Sequence, residues 1–368
     1  MSSSEPRGRP IYTFHNMLLT GIFAPIATPF YPDGAVYLRK LEHNVDRYCR
    51  SPLAGLVVLG STGEPVMLSD EERREVLRQA VQAAAAEKVL IAGTGAESVR
   101  ETLALCEYAA GLSYDAVLVR TPHYYKPHLR PENILAYYRT VADRSPLPVI
   151  LYSVPVFTGY DLPLELVREL AEHPNIIGIK ESGGDVEKIR QMSQATAHIR
   201  REVAVTEVFE AVTARILSAP QVTTEKMVAV QALAGSPGAG AASAAAKPRF
   251  KTRTKNAGFQ VLAGSAHLLQ ESLAAGAVGA VLAFANIAPT ACFEILAAWK
   301  DRDQKLACEK QERIAAAAKR IVGFYGIPGI KYGQDLNGYY GGAPRLPLLP
   351  LNGDAKAEIG ELLRNIPN

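Results

Sequence analysis

Pro148-Val149-Ile150-Leu151-Tyr152-Ser153-Val154 and, beyond a helical stretch, Ile176-Ile177-Gly178-Ile179-Lys180 decide the fold of this chain. Each is a short, nearly unbroken apolar run that ends on side chains able to do chemistry. A strand that is apolar on both faces must be covered on both faces, which calls for a parallel sheet with helices packed against it rather than an antiparallel sheet with one wet side. The same unit recurs outward from this pair, at Gly21–Thr28, Gly55–Ser61, Val89–Gly95, Ala116–Pro122, Phe259–Ser265 and Val278–Phe284. Eight such runs alternating with helical segments predict an α/β fold, the TIM (β/α)8 barrel; an open, doubly wound sheet is the rival arrangement. Ser69–Ala86 shows the helical half of the unit: Ser69 is an N-cap, Asp70-Glu71-Glu72 places acids in the first turn, and apolar residues follow at helical spacing.

The barrel is expected over residues 16–288, after an N-terminal arm (1–15) and before a C-terminal helical region (289–368). In that last region Pro289–Gly323 and Asp354–Arg364 have helical character. Gly326-Ile327-Pro328-Gly329 and Asn337–Pro344 between them read as turns. One insertion breaks the rhythm, residues 201–258, between the sixth helix and the seventh strand. It is expected to hold an amphipathic helix, then the low-complexity run Ala234–Ser243, then cations at alternate positions: Lys247, Arg249, Lys251, Arg253 and Lys255. Such a stripe could bind a polyanion, but without aromatic interleaving beyond Phe250 a solvated insertion is the better reading.

Composition excludes several classes of function. With 40 Lys+Arg against 37 Asp+Glu, the chain of 368 residues carries a formal charge of only +3, and 48% hydrophobic content marks a globular protein rather than a disordered one. The insertion holds a net +4, so the remainder is slightly acidic and no nucleic-acid partner is expected. No apolar run reaches the roughly 18 residues of a membrane span. The first residues, Met1-Ser2-Ser3-Ser4-Glu5-Pro6, lack the apolar core of a secretory leader and the Arg-rich pattern of a transit peptide. Cytoplasm is therefore the expected compartment, with the mitochondrion as the alternative. Cys49, Cys106, Cys292 and Cys308 form no C-x-x-C pair, and the scattered histidines have no metal spacing, so neither a metal nor another cofactor is expected. Gly93-Thr94-Gly95-Ala96-Glu97-Ser98 starts like a dinucleotide fingerprint but ends on serine; a tight strand-to-helix turn explains it better.

In a parallel barrel the active site lies at the carboxyl ends of the strands. Lys180 closes an apolar strand, where burial without a carboxylate partner favours the neutral amine that can attack a carbonyl. Tyr152 stands at the same level on the preceding strand. Ser61-Thr62-Gly63 follows the second strand with hydroxyls and backbone N–H groups suited to a carboxylate. Singly, each has a bland reading: a snorkelling lysine, a core tyrosine, an ordinary helix-entry turn.

Together these strand endings resemble the dihydrodipicolinate synthase and N-acetylneuraminate lyase superfamily of Schiff-base aldolases. The resemblance rests on Gly60-Ser61-Thr62-Gly63-Glu64, Thr121-Pro122-His123-Tyr124-Tyr125, Tyr152-Ser153-Val154-Pro155, Gly178-Ile179-Lys180-Glu181-Ser182, Val261-Leu262-Ala263-Gly264-Ser265 and Gly341–Leu348. It implies that Lys180 forms an imine with the keto carbon of pyruvate, that Tyr152 relays protons, and that Tyr124 completes the relay across a subunit boundary in a dimer of dimers. It also implies that Ser61, Thr62, Gly63, Gly264 and Ser265 line the substrate site. At the position where synthase relatives carry an arginine for the second substrate, this chain has Phe157. The pattern is most similar to 4-hydroxy-2-oxoglutarate aldolase and fungal-type 2-keto-3-deoxy sugar-acid aldolases. The expected activity is therefore carbon–carbon cleavage of an oxo acid to pyruvate and an aldehyde, with the synthase, a dehydratase or a non-catalytic oxo-acid-binding barrel as alternatives.

Overall fold

The structure is a computed structural model and describes residues 17–206, 211–213, 215–216, 252–366 and 368. Ten strands are present among them: β1 (Gly21–Pro25), β2 (Gly55–Val58), β3 (Val89–Gly93), β4 (Ala116–Arg120), β5 (Val149–Ser153), β6 (Ile176–Glu181), β7 (Glu202–Thr206), β8 (Thr252–Asn256), β9 (Gln260–Ala263) and β10 (Gly279–Val281). Eight of them, without β7 and β8, form a closed parallel barrel in the order β1-β2-β3-β4-β5-β6-β9-β10, with β10 pairing back to β1. Every run read as a strand is one, and the sheet closes instead of staying open.

Alternation explains why the strands are apolar throughout. Phe23, Val57, Ile91, Leu118, Ile150 and Leu262 fill the inside of the barrel. Their neighbours Ile22, Leu56, Leu90, Val117, Leu151 and Val261 join the larger core shared with the helices. The helix after β2, Asp70–Ala83, starts with a reciprocal capping box: the Glu72 amide donates to Ser69 Oγ at 3.3 Å, and the Ser69 amide to Glu72 Oε2 at 2.9 Å.

The ends of the insertion pair with each other. β7 and β8 form an antiparallel ribbon from Glu202↔Asn256 to Thr206↔Thr252, so residues 202–206 are a strand, not the start of a helix. Val203 and Val205 pack with Leu18 and Ala257, while Arg253 and Lys255 are exposed. Most of the rest of the expected helix, the stripe residues Lys247, Arg249 and Lys251, and the run Ala234–Ser243 lie outside the described residues. Arg201 donates to the carbonyl oxygens of Ile176 (2.5 Å), Ala171 (2.6 Å) and His173 (2.9 Å), just where β6 begins. Arg215 reaches the carbonyls of Ala84, Ala85 and Lys88 ahead of β3. These anchors put the ribbon at the amino ends of the strands, the end away from Lys180.

The C-terminal region is helical: Pro289–Lys300, Gln304–Ala318, a π-helical segment Lys319–Tyr325, Gly326–Leu336 and Gly353–Leu363. Gly326–Leu336 corrects the turn-rich reading of its Gly and Pro residues. Two of its glycines, Gly329 and Gly333, serve contact instead: a Cβ on Gly333 would lie 2.6 Å from Ile287 Cδ1, so the small residue lets this helix press against the barrel. Tertiary packing outweighs the weak intrinsic propensity. Among the described residues no helix is long and apolar enough to cross a membrane.

Candidate active site

Register places the strand-end side chains side by side: Arg120 of β4 pairs with Tyr152 of β5, and Tyr152 with Lys180 of β6. Lys180 is only 4% exposed, and its Nζ lies 4.1 Å from the centroid of the Tyr152 ring. No carboxylate among the described residues forms an ion pair with it. The acid next in sequence, Glu181, cannot, because successive side chains of a strand point to opposite faces. Glu181 turns into the helix layer, where its Oε1 accepts the Gly183 amide at 2.5 Å and Lys188 Nζ stands 3.4 Å from Oε2. Burial pushes the Glu181 carboxyl above its ordinary value, against the pull of Lys188. The amine is thus buried with an aromatic face as its neighbour, an arrangement that only partly offsets the cost of a buried charge.

The Tyr152 hydroxyl lies 3.2 Å from Ser61 Oγ. Ser61–Gly63 forms a 3-10 turn after β2 in which Thr62 is buried, and the Gly63 carbonyl accepts from Thr28 Oγ1 at 2.7 Å. The turn ends at Glu64, a non-glycine residue in the left-handed region at φ 54°. Such a conformation costs about 1–3 kcal/mol and persists only where the surroundings impose it. Here they do. Glu64 Oε1 lies 2.7 Å from Lys331 Nζ, both side chains being fully buried, and the Arg345 amide donates to Glu64 Oε2 at 2.9 Å. Lys331 also donates to the carbonyls of Thr28 and Ala343, and the Arg345 guanidinium forks onto both oxygens of Glu72 at 2.7 and 2.6 Å. The C-terminal region thereby holds the loop that carries Ser61.

A cleft of about 540 Å³ opens over these strand ends. Ser61, Tyr152 and Phe157 line it, with Lys180 behind the Tyr152 ring and outside the lining itself. Tyr124 is 75% exposed and stacks edge-on against Tyr125; its side chain stays outside the cleft. Gly264 and Ser265, like Lys180, are outside the lining of this cleft; they line a small separate cavity with Glu181, Asp185 and Ser272. After β9 the chain turns outward past β6, so closely that a Cβ on Gly264 would fall 2.0 Å from Ser182 Oγ. Sequence reasoning missed three residues that line the cleft, Arg120, Glu97 and His123, and the buried Glu64–Lys331 pair beneath it. Arg120 was open to discovery, since it ends the apolar run Ala116-Val117-Leu118-Val119 just as Lys180 ends its own.

Barrel and strand-end cluster together define an enzyme of the lyase type. The model of the Dihydrodipicolinate synthetase family matches residues 18–219 and 216–366, and the chain belongs to that family, part of a superfamily of class I, pyruvate-dependent aldolase-like enzymes. The two matches meet inside residues 201–258. The 4-hydroxy-tetrahydrodipicolinate synthase of Acidiphilium cryptum is 29% identical over 339 residues, 92% of this chain and 95% of the relative. Among solved structures, the chloride-inhibited dihydrodipicolinate synthase of Acinetobacter baumannii complexed with pyruvate superposes with TM-score 0.74 at 27% identity, covering 94% of this chain and 98% of that one. A prophage protein of E. coli K12 from the dihydrodipicolinic acid synthase family, in complex with pyruvate, gives 0.74 at 26%, covering 95% and 99%.

Proposed function

We propose that the protein is a class I pyruvate-dependent aldolase that reversibly cleaves a 4-hydroxy-2-oxo acid, either 4-hydroxy-2-oxoglutarate or a 2-keto-3-deoxy sugar acid, to pyruvate and an aldehyde. The observation that carries this reading is the buried, carboxylate-free Lys180 against Tyr152, whose hydroxyl in turn meets Ser61. Lys180 Nζ attacks C2 of the oxo acid, and loss of water gives a protonated imine. Tyr152 takes the C4 hydroxyl proton, the C3–C4 bond breaks, and its electron pair passes into the iminium to leave an enamine and a free aldehyde. Protonation at C3 and hydrolysis release pyruvate and regenerate the amine. Ser61, Thr62 and Gly63 hold the C1 carboxylate, which orients the bond to be broken. Tyr124, exposed at this end of the barrel, completes the relay from a second copy of the chain in a dimer of dimers.

The synthase is the second reading, favoured by the names of the similar proteins. Phe157 argues against it, because a phenyl ring on the cleft wall donates no hydrogen bond to a substrate carboxylate. Borohydride reduction with pyruvate followed by peptide mass spectrometry is expected to yield a pyruvyl adduct on Lys180. Turnover with 4-hydroxy-2-oxo acids is expected to exceed condensation of pyruvate with aspartate semialdehyde. Absence of the adduct refutes both readings, and the reverse preference establishes the synthase.

A further inference from the structure

The cleft wall carries charges for which the chemistry at Lys180 has no use. Arg120 closes β4 next to Tyr152, its stem laid against Gly95, where a Cβ would come within 2.8 Å of Arg120 Cγ. Its Nη1 donates to Glu97 Oε1 at 3.0 Å and to the Thr121 carbonyl at 3.2 Å. His123 Nδ1 lies 2.8 Å from that nitrogen and 2.6 Å from Glu97 Oε1. Glu97 Oε2 accepts the amides of His123 and Tyr124, each at 2.9 Å. Burial would raise the Glu97 carboxyl, but these amides and Arg120 outweigh it and hold it below the ordinary value. Burial, and then the charge of Arg120, hold the His123 ring below its own. At neutral pH the cluster is therefore one cation, one anion and a neutral ring. Nε and Nη2 of Arg120 carry no hydrogen bond among the described residues. Farther along the same wall Arg73 and Glu101 form a second matched pair at 2.9 Å.

Resting on the aldolase reading of Lys180, we infer that Arg120, with Glu97 and His123, receives the tail of the aldehyde half and selects an uncharged, hydroxylated tail over one that ends in a carboxylate. A hydroxyl can accept from the spare donors of Arg120 and donate to Glu97 or Glu101, which satisfies both members of each pair. A carboxylate tail would share Arg120 with Glu97 and bring two anions together on a partly buried wall, a repulsion that works as selection against it.

The experiment runs the full chain in the condensation direction, with pyruvate and either glyceraldehyde or glyoxylate as acceptor. Both acceptors draw on the same pyruvyl-enzyme, so any general loss in a variant cancels in the ratio of the two kcat/KM values. Wild type is expected to favour glyceraldehyde about tenfold or more, a modest share of the repulsion between like charges. Glu97→Gln, which leaves the charge of Arg120 unmatched, is expected to move the ratio about tenfold toward glyoxylate. Arg120→Met, which leaves Glu97 without its cation, is expected to lower kcat/KM for both acceptors and for glyoxylate more, moving the ratio the opposite way. A preference of the wild type for glyoxylate, or a ratio unmoved in both variants, overturns the inference. Failure of pyruvate and borohydride to label Lys180 overturns the aldolase reading instead, so the two failures are told apart.

Discussion

Cations are buried or half-buried at both ends of the barrel, and the two ends treat them differently. At the base, the terminal nitrogens of Arg201 and Arg215 end on backbone carbonyls ahead of β6 and β3. At the opposite end Lys180 faces a tyrosine ring, and Arg120 keeps Nε and Nη2 uncommitted beside the cleft. Burial alone does not separate structural charge from functional charge. The place of the spare donor does: Arg215 keeps a buried Nε without a hydrogen bond, walled in by the fold, whereas the spare donors of Arg120 lie beside the cleft and are stabilised further when a ligand arrives.

The largest effect is expected where the upper end does its chemistry. Tyr152→Phe removes the hydroxyl that meets Ser61 and is expected to lower kcat by about 10²–10⁴, with the thermal midpoint nearly unchanged. Steady-state turnover beside a thermal melt checks both. A large loss of stability with turnover per folded molecule intact would make this end as structural as the base.

Lys331 sharpens the comparison, since it sits near the upper end yet is paired like the cations of the base. Burial lowers its ammonium below the ordinary value, and Glu64 opposes the shift. Lys331→Met leaves Glu64 buried without its cation and should cost about 3–5 kcal/mol, read from urea unfolding. Adding Glu64→Gln should recover part of the loss, a return that would be absent if only packing at Lys331 mattered.

The smallest expected effect belongs to the base. Arg201→Met removes a charged donor from three carbonyls and should cost about 1.5–3 kcal/mol, the worth of hydrogen bonds to a charged group. Both kcat and KM should stay at the wild-type values, and a changed KM would tie the base to the cleft.

Much of the fold was legible because strand burial and helix capping are local. Eight apolar runs and the Ser69 cap needed no knowledge of distant partners. The helix Gly326–Leu336 was not legible, since Gly329 and Gly333 look like turn residues until Tyr325 and Ile287 are seen lying against them. The β7–β8 ribbon joins residues separated by some fifty positions of low-complexity and charged sequence, and no local pattern announces such a pairing. At the site, Lys180, Tyr152 and Ser61 were found by asking which residue ends each strand. The same question put to β4 would have reached Arg120. The cavity that Gly264 and Ser265 line was not legible, because a strand ending does not reveal which way the following turn bends.

By itself the sequence determined that this protein is a parallel barrel with an amine, a phenol and a hydroxyl turn at the carboxyl ends of its strands, because the periodicity that buries a strand also sets which end of it faces the loops. Only the tertiary structure decided which of those groups meet and which charges are already matched. The partners of Glu64, Glu72 and Arg201 come from distant segments, and the acid adjacent to Lys180 in sequence is on the other face of its strand. Hydrogen bonding and charge compensation depend on distance in space, which a linear pattern does not contain.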